Sequence, residues 1–309
     1  MNLRTLRYFV AIADAGSFTA AAQAVAIAQP ALTRQLRDLE ASLGVQLLQR
    51  GARGVRLTQA GAILYESARR MLAESARVRR QLGGDGRPGE RTAVLGVTPT
   101  LTRVLLPGVF ERWHRSLSGV KLVVREAFTP QLMEGLERGL VDMAVVTNPE
   151  PHHALALEPL LAEPFALVTP AGRGMPAVVP LATLARVPLL MTTLHQGIVE
   201  RTLGPLRVKL NIASVLDSVD AIRELVHQGR WATVMPVSVF KDPDAGRVRL
   251  SEISGAQLNR MLVLATRIEQ AQNPAVAVMT DLIRAEASAL AVRGLFNFGG
   301  GISNQALSI

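Results

Sequence analysis

The stretch Ser17–Arg37, SFTAAAQAVAIAQPALTRQLR, constrains this chain more than any other part of it. It reads as two short helices around a tight corner, the second polar at its start and basic further on. Ser17 stands where it can cap the first helix, in which Ala21, Ala22 and Val25 repeat at three-to-four spacing. The run of alanines lets a second helix come close. The corner falls near Ala26–Ala28, and Pro30 follows in a first helical turn, where its missing N–H costs nothing. Leu32, Leu36 and Leu39 form an inner stripe, while Gln29, Thr33, Arg34 and Arg37 occupy the other face. Gln and Arg pair bidentately with adenine and guanine edges and Thr bonds phosphate, so this face carries the inventory for reading a major groove. An ordinary amphipathic hairpin has the same spacing, and on spacing alone the two readings stand level.

The flanks separate them. Upstream, Leu3, Leu6, Phe9, Val10 and Ala13 form a helix that can buttress the pair. Downstream, Gly44 ends a helix, Val45, Leu47 and Leu48 make a short apolar run, and the basic tip RGARGVR (Arg50–Arg56) leads into Leu57-Thr58. That order describes a winged helix-turn-helix, its tip placed for a minor groove or a phosphate backbone. Charge agrees: through Arg80 there are twelve arginines against five acids, and the remaining residues are close to neutral. A basic amino-terminal quarter on a balanced body is the electrostatic footprint of nucleic-acid binding.

With MNLRTLRYFVAIADAGSFTAAA, AQPALTRQLRDLEASLGVQLLQR and RGVRLTQAG in hand, the chain resembles the LysR-type transcriptional regulators, almost without a gap from Met1 to about Leu72. The resemblance implies DNA reading by Gln29, Pro30, Thr33 and Arg34, with Ala31 on the same turn. It implies backbone contacts from Ser17, Thr19 and Arg37 and wing contacts from Arg50 and Arg53. One departure stands out: Ala28 occupies a position where the family usually has a capping serine or threonine, a loss that typically costs about 1 kcal/mol. Gln29 or a DNA phosphate is left to satisfy those amides.

From Thr58 to Leu82 one long helix is expected, with Gly61, Leu64, Ala68, Met71, Ser75, Val78 and Leu82 at four-three spacing. Two readings exist for that stripe, a helix lying on its own domain or a seam between two chains. The arginines around it favour the seam, so Leu64, Ala68, Met71, Ser75, Val78 and Leu82 are the expected dimerisation residues. GGDGRPG (Gly83–Gly89) then breaks the helix as a hinge.

Beyond the hinge, strands and helices alternate. Ala93–Val97, Lys121–Arg125 and Met143–Val146 read as strands, with helices over Leu101–Arg115 and Pro130–Arg138. Phe165–Thr169, Leu189–Thr192, Ile212–Val215, Ala232–Val234 and Met261–Thr266 read as further strands, with helices at Ser218–Gln228 and Pro274–Ala291. Such alternation gives an α/β class with a parallel sheet and right-handed crossovers. By resemblance this is the family's effector domain, two lobes similar to type 2 periplasmic binding proteins joined by two crossing strands, near Ala162–Phe165 and Leu262–Thr266. The expected division is 1–58 winged helix-turn-helix, 59–90 linker helix and hinge, 91–162 lobe I, 163–264 lobe II, 265–292 returning to lobe I, and 293–309 a loose tail. Leu295, Phe296 and Phe298 of that tail have the character to dock on a neighbour.

Ligands in such folds lie at carboxyl ends of strands and amino ends of helices. Thr98, Thr100, Thr129, Thr147, Thr192 and Thr193 stand at those junctions. Each alone is more simply a cap or turn residue; successive hydroxyls at strand ends make a shared polar cleft the better reading, with a small carboxylate as the expected effector. Arg103 is either an added charge or a solvated one. Gly229-Arg230-Trp231 departs from the family's glycine-rich turn and would narrow the cleft or stack on an aromatic ligand.

Other classes fare worse. The chain has no cysteine, which excludes disulfides, thiol nucleophiles and thiolate-held metals. Its five histidines show no metal-ligand spacing, and neither a phosphate loop nor a nucleophile elbow occurs, so no cofactor, no metal and no enzyme activity are expected. No apolar stretch approaches the roughly twenty residues of a membrane span, and no signal peptide is visible, so a cytoplasmic protein is expected. A stand-alone solute-binding protein is disfavoured by the basic amino-terminal domain. The expected function is effector-responsive, sequence-specific regulation: a homodimer or tetramer on an interrupted palindrome in double-stranded DNA, in reach of RNA polymerase. A constitutive dimer without an effector is the alternative.

Overall fold

The computed structural model describes residues 1–51, 54–81, 91–117, 119–241, 245–270 and 273–298. The chain divides into two compact units. One is Met1–Thr92 with the segments Gly119–Lys121 and Glu134–Val141; the other is Ala93–Ser118, Leu122–Met133 and Asp142–Ile309.

The first unit begins with α1 (Leu3–Ala15), α2 (Phe18–Ala24) and α3 (Gln29–Leu43), followed by the hairpin β1 (Leu48–Gly51) and β2 (Gly54–Leu57) and by α4 (Gln59–Gln81). Asn2 and Thr5 form a reciprocal capping box on α1, and Ser17 caps α2 by accepting from the Ala20 amide. The corner between α2 and α3 is made by Ala26 in the left-handed region, φ 54°. Leu6, Phe9, Ile12, Phe18, Leu32, Leu36, Leu39, Leu47 and Leu48 fill the core between these elements. Each such side chain contributes about 1.5–3 kcal/mol by leaving water. Glu40 on α3 accepts from the Leu47 and Leu48 amides and fixes the start of the wing.

The long helix α4 differs from expectation in what it buries. Thr58 caps it, accepting from the Gly61 amide, and Gly61 sits so close to Leu47 that a Cβ there would lie 1.9 Å from the Leu47 carbonyl oxygen. Ala68 is fully buried and thus taken up by the core of its own unit, and Leu64, half-buried, packs on it where the first turns of α4 lie against α1. Met71 and Val78 do remain exposed, at 42% and 41%, and they are joined by Ile63 at 68%, which the heptad reading passes over. Ser75 is half-buried, and Leu82 lies outside the described residues.

The rest of the chain, most of it in the second unit, forms β3 (Arg91–Val97), α5 (Pro99–Ser116), β4 (Val120–Glu126), α6 (Thr129–Glu137), β5 (Met143–Thr147), β6 (Leu155–Pro170), β7 (Val178–Pro180), β8 (Leu189–Met191), α7 (Thr193–Leu203), β9 (Ile212–Val215), α8 (Val219–His227), β10 (Thr233–Pro236), β11 (Val248–Ser254), β12 (Asn259–Arg267) and α9 (Pro274–Val292). One sheet runs in the order β4-β3-β5-β12-β6-β11-β7, with β10 also on β6, and β8 pairs β9 separately. The sheet is mixed rather than parallel. β3 and β5 are parallel, but β12 runs antiparallel to both β5 and β6, because the returning chain enters lobe I from the opposite end.

Strand β6, sixteen residues long, belongs to both lobes. Leu155–Pro164 pair with β12, whereas Phe165–Pro170 pair with β10 and β11. Inside lobe II its side chains alternate between two cores, Phe165 and Leu167 facing one and Ala166 and Val168 the other. The return crossing lies at Leu258–Met261: the Phe165 amide donates to the Leu258 carbonyl (2.7 Å), and Leu262–Thr266 pair with β5 throughout. Leu262–Thr266, expected as the crossing, are thus lobe I residues. Trp231 is half-buried and packs on the lobe II core.

Candidate functional site

Two sites emerge, one in each unit. In the first, α3 turns Leu32, Leu36 and Leu39 inward and leaves Gln29, Pro30, Ala31, Arg34 and Arg37 exposed and Thr33 half-buried. Gln29, Pro30, Thr33, Arg34, Arg37 and Asp38 line one open concavity. Ala28 is the N-cap, in extended geometry (φ −66°, ψ 135°), and makes no side-chain cap bond. The exposed Thr19 hydroxyl on α2 lies 3.4 Å from Gln29 Oε1 and donates to it, whereas Ser17 is spent on capping α2. The Val55 amide of the wing donates to the Gly16 carbonyl (2.8 Å), tying the hairpin to the turn before α2. Gly54 makes that approach possible: at φ 108°, with its absent Cβ position 2.6 Å from the Gly16 oxygen, no other residue fits. Arg50 stands in β1 opposite Val55, and Arg53 lies outside the described residues.

In the second unit, Thr98 and Thr147 sit at the carboxyl ends of β3 and β5 and Thr129 opens α6, all three buried. Thr129 Oγ1 donates to the Thr147 carbonyl and accepts from the Thr147 amide, so this pair pins α6 to β5. In lobe II, Thr192 caps α7 by accepting from the His195 amide and contacts His195 Nδ1 at 2.8 Å, and exposed Thr193 is bound to Asp217. Four of the six threonines are therefore committed to partners, and Thr100 Oγ1 makes a fifth by accepting from Arg260 Nη1. Of the set, only the Thr98 hydroxyl is buried without one, as is the Ser238 hydroxyl of lobe II.

The centre of the domain was missed by reading the sequence. Glu163 on β6 and Arg260 on β12 are register partners on the two crossing strands, exposed 0% and 2%. Arg260 Nε and Nη2 donate to Glu163 Oε2 at 2.9 and 2.6 Å, and Nη1 donates to Thr100 Oγ1 at 2.5 Å. Glu163 Oε1 accepts from the Ser238 amide at 2.7 Å. The network runs from lobe I through both crossing strands into lobe II. Burial, and then the Arg260 charge, push the His195 imidazole down to about 3, so it stays neutral. The signal available in the sequence was weak: a lone acid in LAEPF and a lone arginine in NRML, 97 residues apart.

A cavity of about 880 Å³ opens beside this network, lined by Thr100, Arg103, Arg223, Ser238, Lys241 and Glu286 among others. Thr100 is the one member of the threonine set on its wall. Among the described residues there is no cluster of His, Cys, Asp and Glu able to hold a metal, and no helix is long and apolar enough to cross a membrane.

Known proteins share both halves. The family described as the LysR substrate binding domain matches residues 86–288, and the bacterial regulatory helix-turn-helix protein, lysR family, matches 3–62. The nitrogen assimilation regulatory protein Nac of Klebsiella aerogenes is 32% identical over 246 residues, 78% of this chain and 80% of that one. A hydrogen peroxide-inducible genes activator of Pectobacterium carotovorum is 36% identical over 167 residues, so that the chain spans about half the length of that relative, 55%. Among solved structures, full-length OxyR from Pseudomonas aeruginosa superposes with a TM-score of 0.61 at 25% identity, covering 92% of this chain and 95% of that one. CbnR complexed with its target DNA superposes at 0.62 and 24% identity, covering 93% and 100%, a likeness of fold. The matched families account for most of the chain between Leu3 and Ser288, and the chain belongs to the LysR family of transcriptional regulators.

Proposed function

We propose that this protein binds a specific DNA operator and controls transcription in response to a small molecule held between the lobes of its second unit. The observation that carries the reading is α3, whose exposed Gln29, Arg34 and Arg37 share one concavity over a buried leucine stripe. The operator is an interrupted palindrome in double-stranded DNA, read by a homodimer or tetramer acting in the cytoplasm within reach of RNA polymerase. Ile63, Met71 and Val78 on α4 offer the apolar surface for pairing. DNA reading falls to Gln29, Pro30, Ala31, Thr33 and Arg34, and backbone contacts to Ser17, Thr19, Arg37, Arg50 and Arg53. Replacing Arg34 with Ala is expected to reduce discrimination between operator and random DNA by on the order of 1–3 kcal/mol, measured by fluorescence anisotropy. Equal weakening on both DNAs would assign Arg34 to phosphate instead.

The effector is a small anion, a carboxylate by preference. Supporting this are the unpartnered hydroxyls of Thr98 and Ser238, one in each lobe, and the excess of Arg and Lys over acids around the adjoining cavity. A thiol-based response to peroxide is not open to this chain, which has no cysteine. Thermal-shift screening of carboxylates against the whole protein should find a stabiliser whose effect disappears in Thr98→Val. A panel with no stabiliser far above any plausible dissociation constant favours the constitutive dimer.

A further inference from the structure

Beyond the crossing strands β6 and β12, a third connection joins the lobes. Helix α9 is fixed to lobe I: Glu286, buried on α9, accepts from Arg112 Nε of α5 at 2.9 Å, and Gly108 on α5 is what leaves room for that carboxylate. The chain then leaves α9 at Arg293 and turns through Gly294, whose φ is 75°. The Leu295 amide returns to the Leu290 carbonyl (3.1 Å), Phe296 is 4% exposed, and Phe298 packs on the lobe II core to which Phe240 and Val248 belong. From lobe II, Lys241 Nζ donates to the carbonyls of both Gly294 and Asn297. The same short lobe II segment carries the Ser238 amide that binds Glu163 in the central network.

We propose that residues 294–298 are a strap that restrains movement between the lobes, with Lys241 as its clasp. The backbone of the strap is held by a cation at two carbonyls and by Phe298 at its far end, so hinge motion about β6 and β12 has to strip both before the lobes separate. Residues beyond Phe298 are not needed for this. The role given to lobe movement rests on the effector-response reading above; the restraint itself does not.

The absence of cysteine makes the test direct, since two introduced thiols are the only labelling sites. Spin labels at Glu111 on α5 and Glu200 on α7, both exposed, report the distance between lobes in the full-length protein. Lys241→Met, which keeps the apolar stem, and a chain ending at Arg293 are each expected to broaden that distribution, while a chain ending at Phe298 matches the full-length protein. Hydrogen exchange over Val237–Lys241 should quicken by about tenfold or more in Lys241→Met, the scale of a lost charged hydrogen bond, with the β5 and β12 amides unchanged. An unchanged distance distribution in Lys241→Met overturns the strap, and so does loosening that spreads equally through β5 and β12. Because no effector is added, a failed effector screen leaves the strap standing, and a failed strap leaves the effector reading standing.

Discussion

At the scale of single residues, the sequence showed which side chains stand at critical junctions but not what each one is paired with. Ala28 is visible at once as a missing cap, and the structure agrees that no side chain of its own replaces it. Its extended backbone already suits a capping residue, so Ala28→Ser should raise the stability of the DNA-free protein's first unit by about 1 kcal/mol, read as a shift in its unfolding midpoint. No shift would mean that the amides of α3 are satisfied otherwise. His195 makes a prediction of opposite character. Its folded value is depressed to about 3 from an ordinary 6.5, so the folded state binds fewer protons than the unfolded chain between those limits. Stability is therefore full above about pH 6.5 and is lost as pH falls toward 3. Glu158, held low by Arg284, adds its own loss only below 4.5. His195→Asn, which retains an acceptor for Thr192, should flatten the fall in melting temperature between pH 6.5 and 4.5; an unaltered slope would place the titration elsewhere.

At the scale of elements, periodicity located most helices and strands and failed where two kinds of burial look alike. The stripe on α4 has the spacing of a seam between chains, yet Gly61, Leu64 and Ala68 spend it on their own unit. Spacing cannot say which apolar partner a stripe meets. The three-residue strand β7, the polar-rich strand β11 (VRLSEIS) and the glycine-interrupted helix α7 carry no apolar run strong enough to mark them, and β6 reads as a strand only over its fully buried half, since its Leu155–Pro164 portion alternates in exposure without a strong apolar run. The Glu163–Arg260 pair is a product of register between β6 and β12, information that no local window contains. Removing one member strands a buried charge: Arg260→Met or Glu163→Leu should each cost about 3–5 kcal/mol. The double variant should recover most of that loss, because two apolar side chains in register leave nothing uncompensated. Denaturant unfolding of the three variants measures this, and additive losses would show that Thr100 and Ser238, rather than the pair, set the cost.

At the scale of the whole molecule, the division into a DNA-reading unit and a two-lobed α/β unit was plain from charge, motif and strand-helix alternation. Which residues would pair two chains was less legible, because spacing alone does not separate a stripe packed on its own unit from one turned to a partner. Met71→Glu combined with Val78→Glu should lower the oligomeric state seen in sedimentation while leaving the first unit folded, since neither side chain is in its core. An unchanged oligomer would move the interface off α4. The sheet order has a consequence for how the molecule is made. β12 lies between β5 and β6 but follows lobe II in the chain. During synthesis, β5 and β6 leave the ribosome with the place between them empty, and they keep unpaired edges until β12 emerges about a hundred residues later. Lobe II can settle in that interval, but lobe I cannot close. Nascent chains halted before Asn259 should thus be the aggregation-prone, chaperone-dependent species, and those released after Arg267 should not.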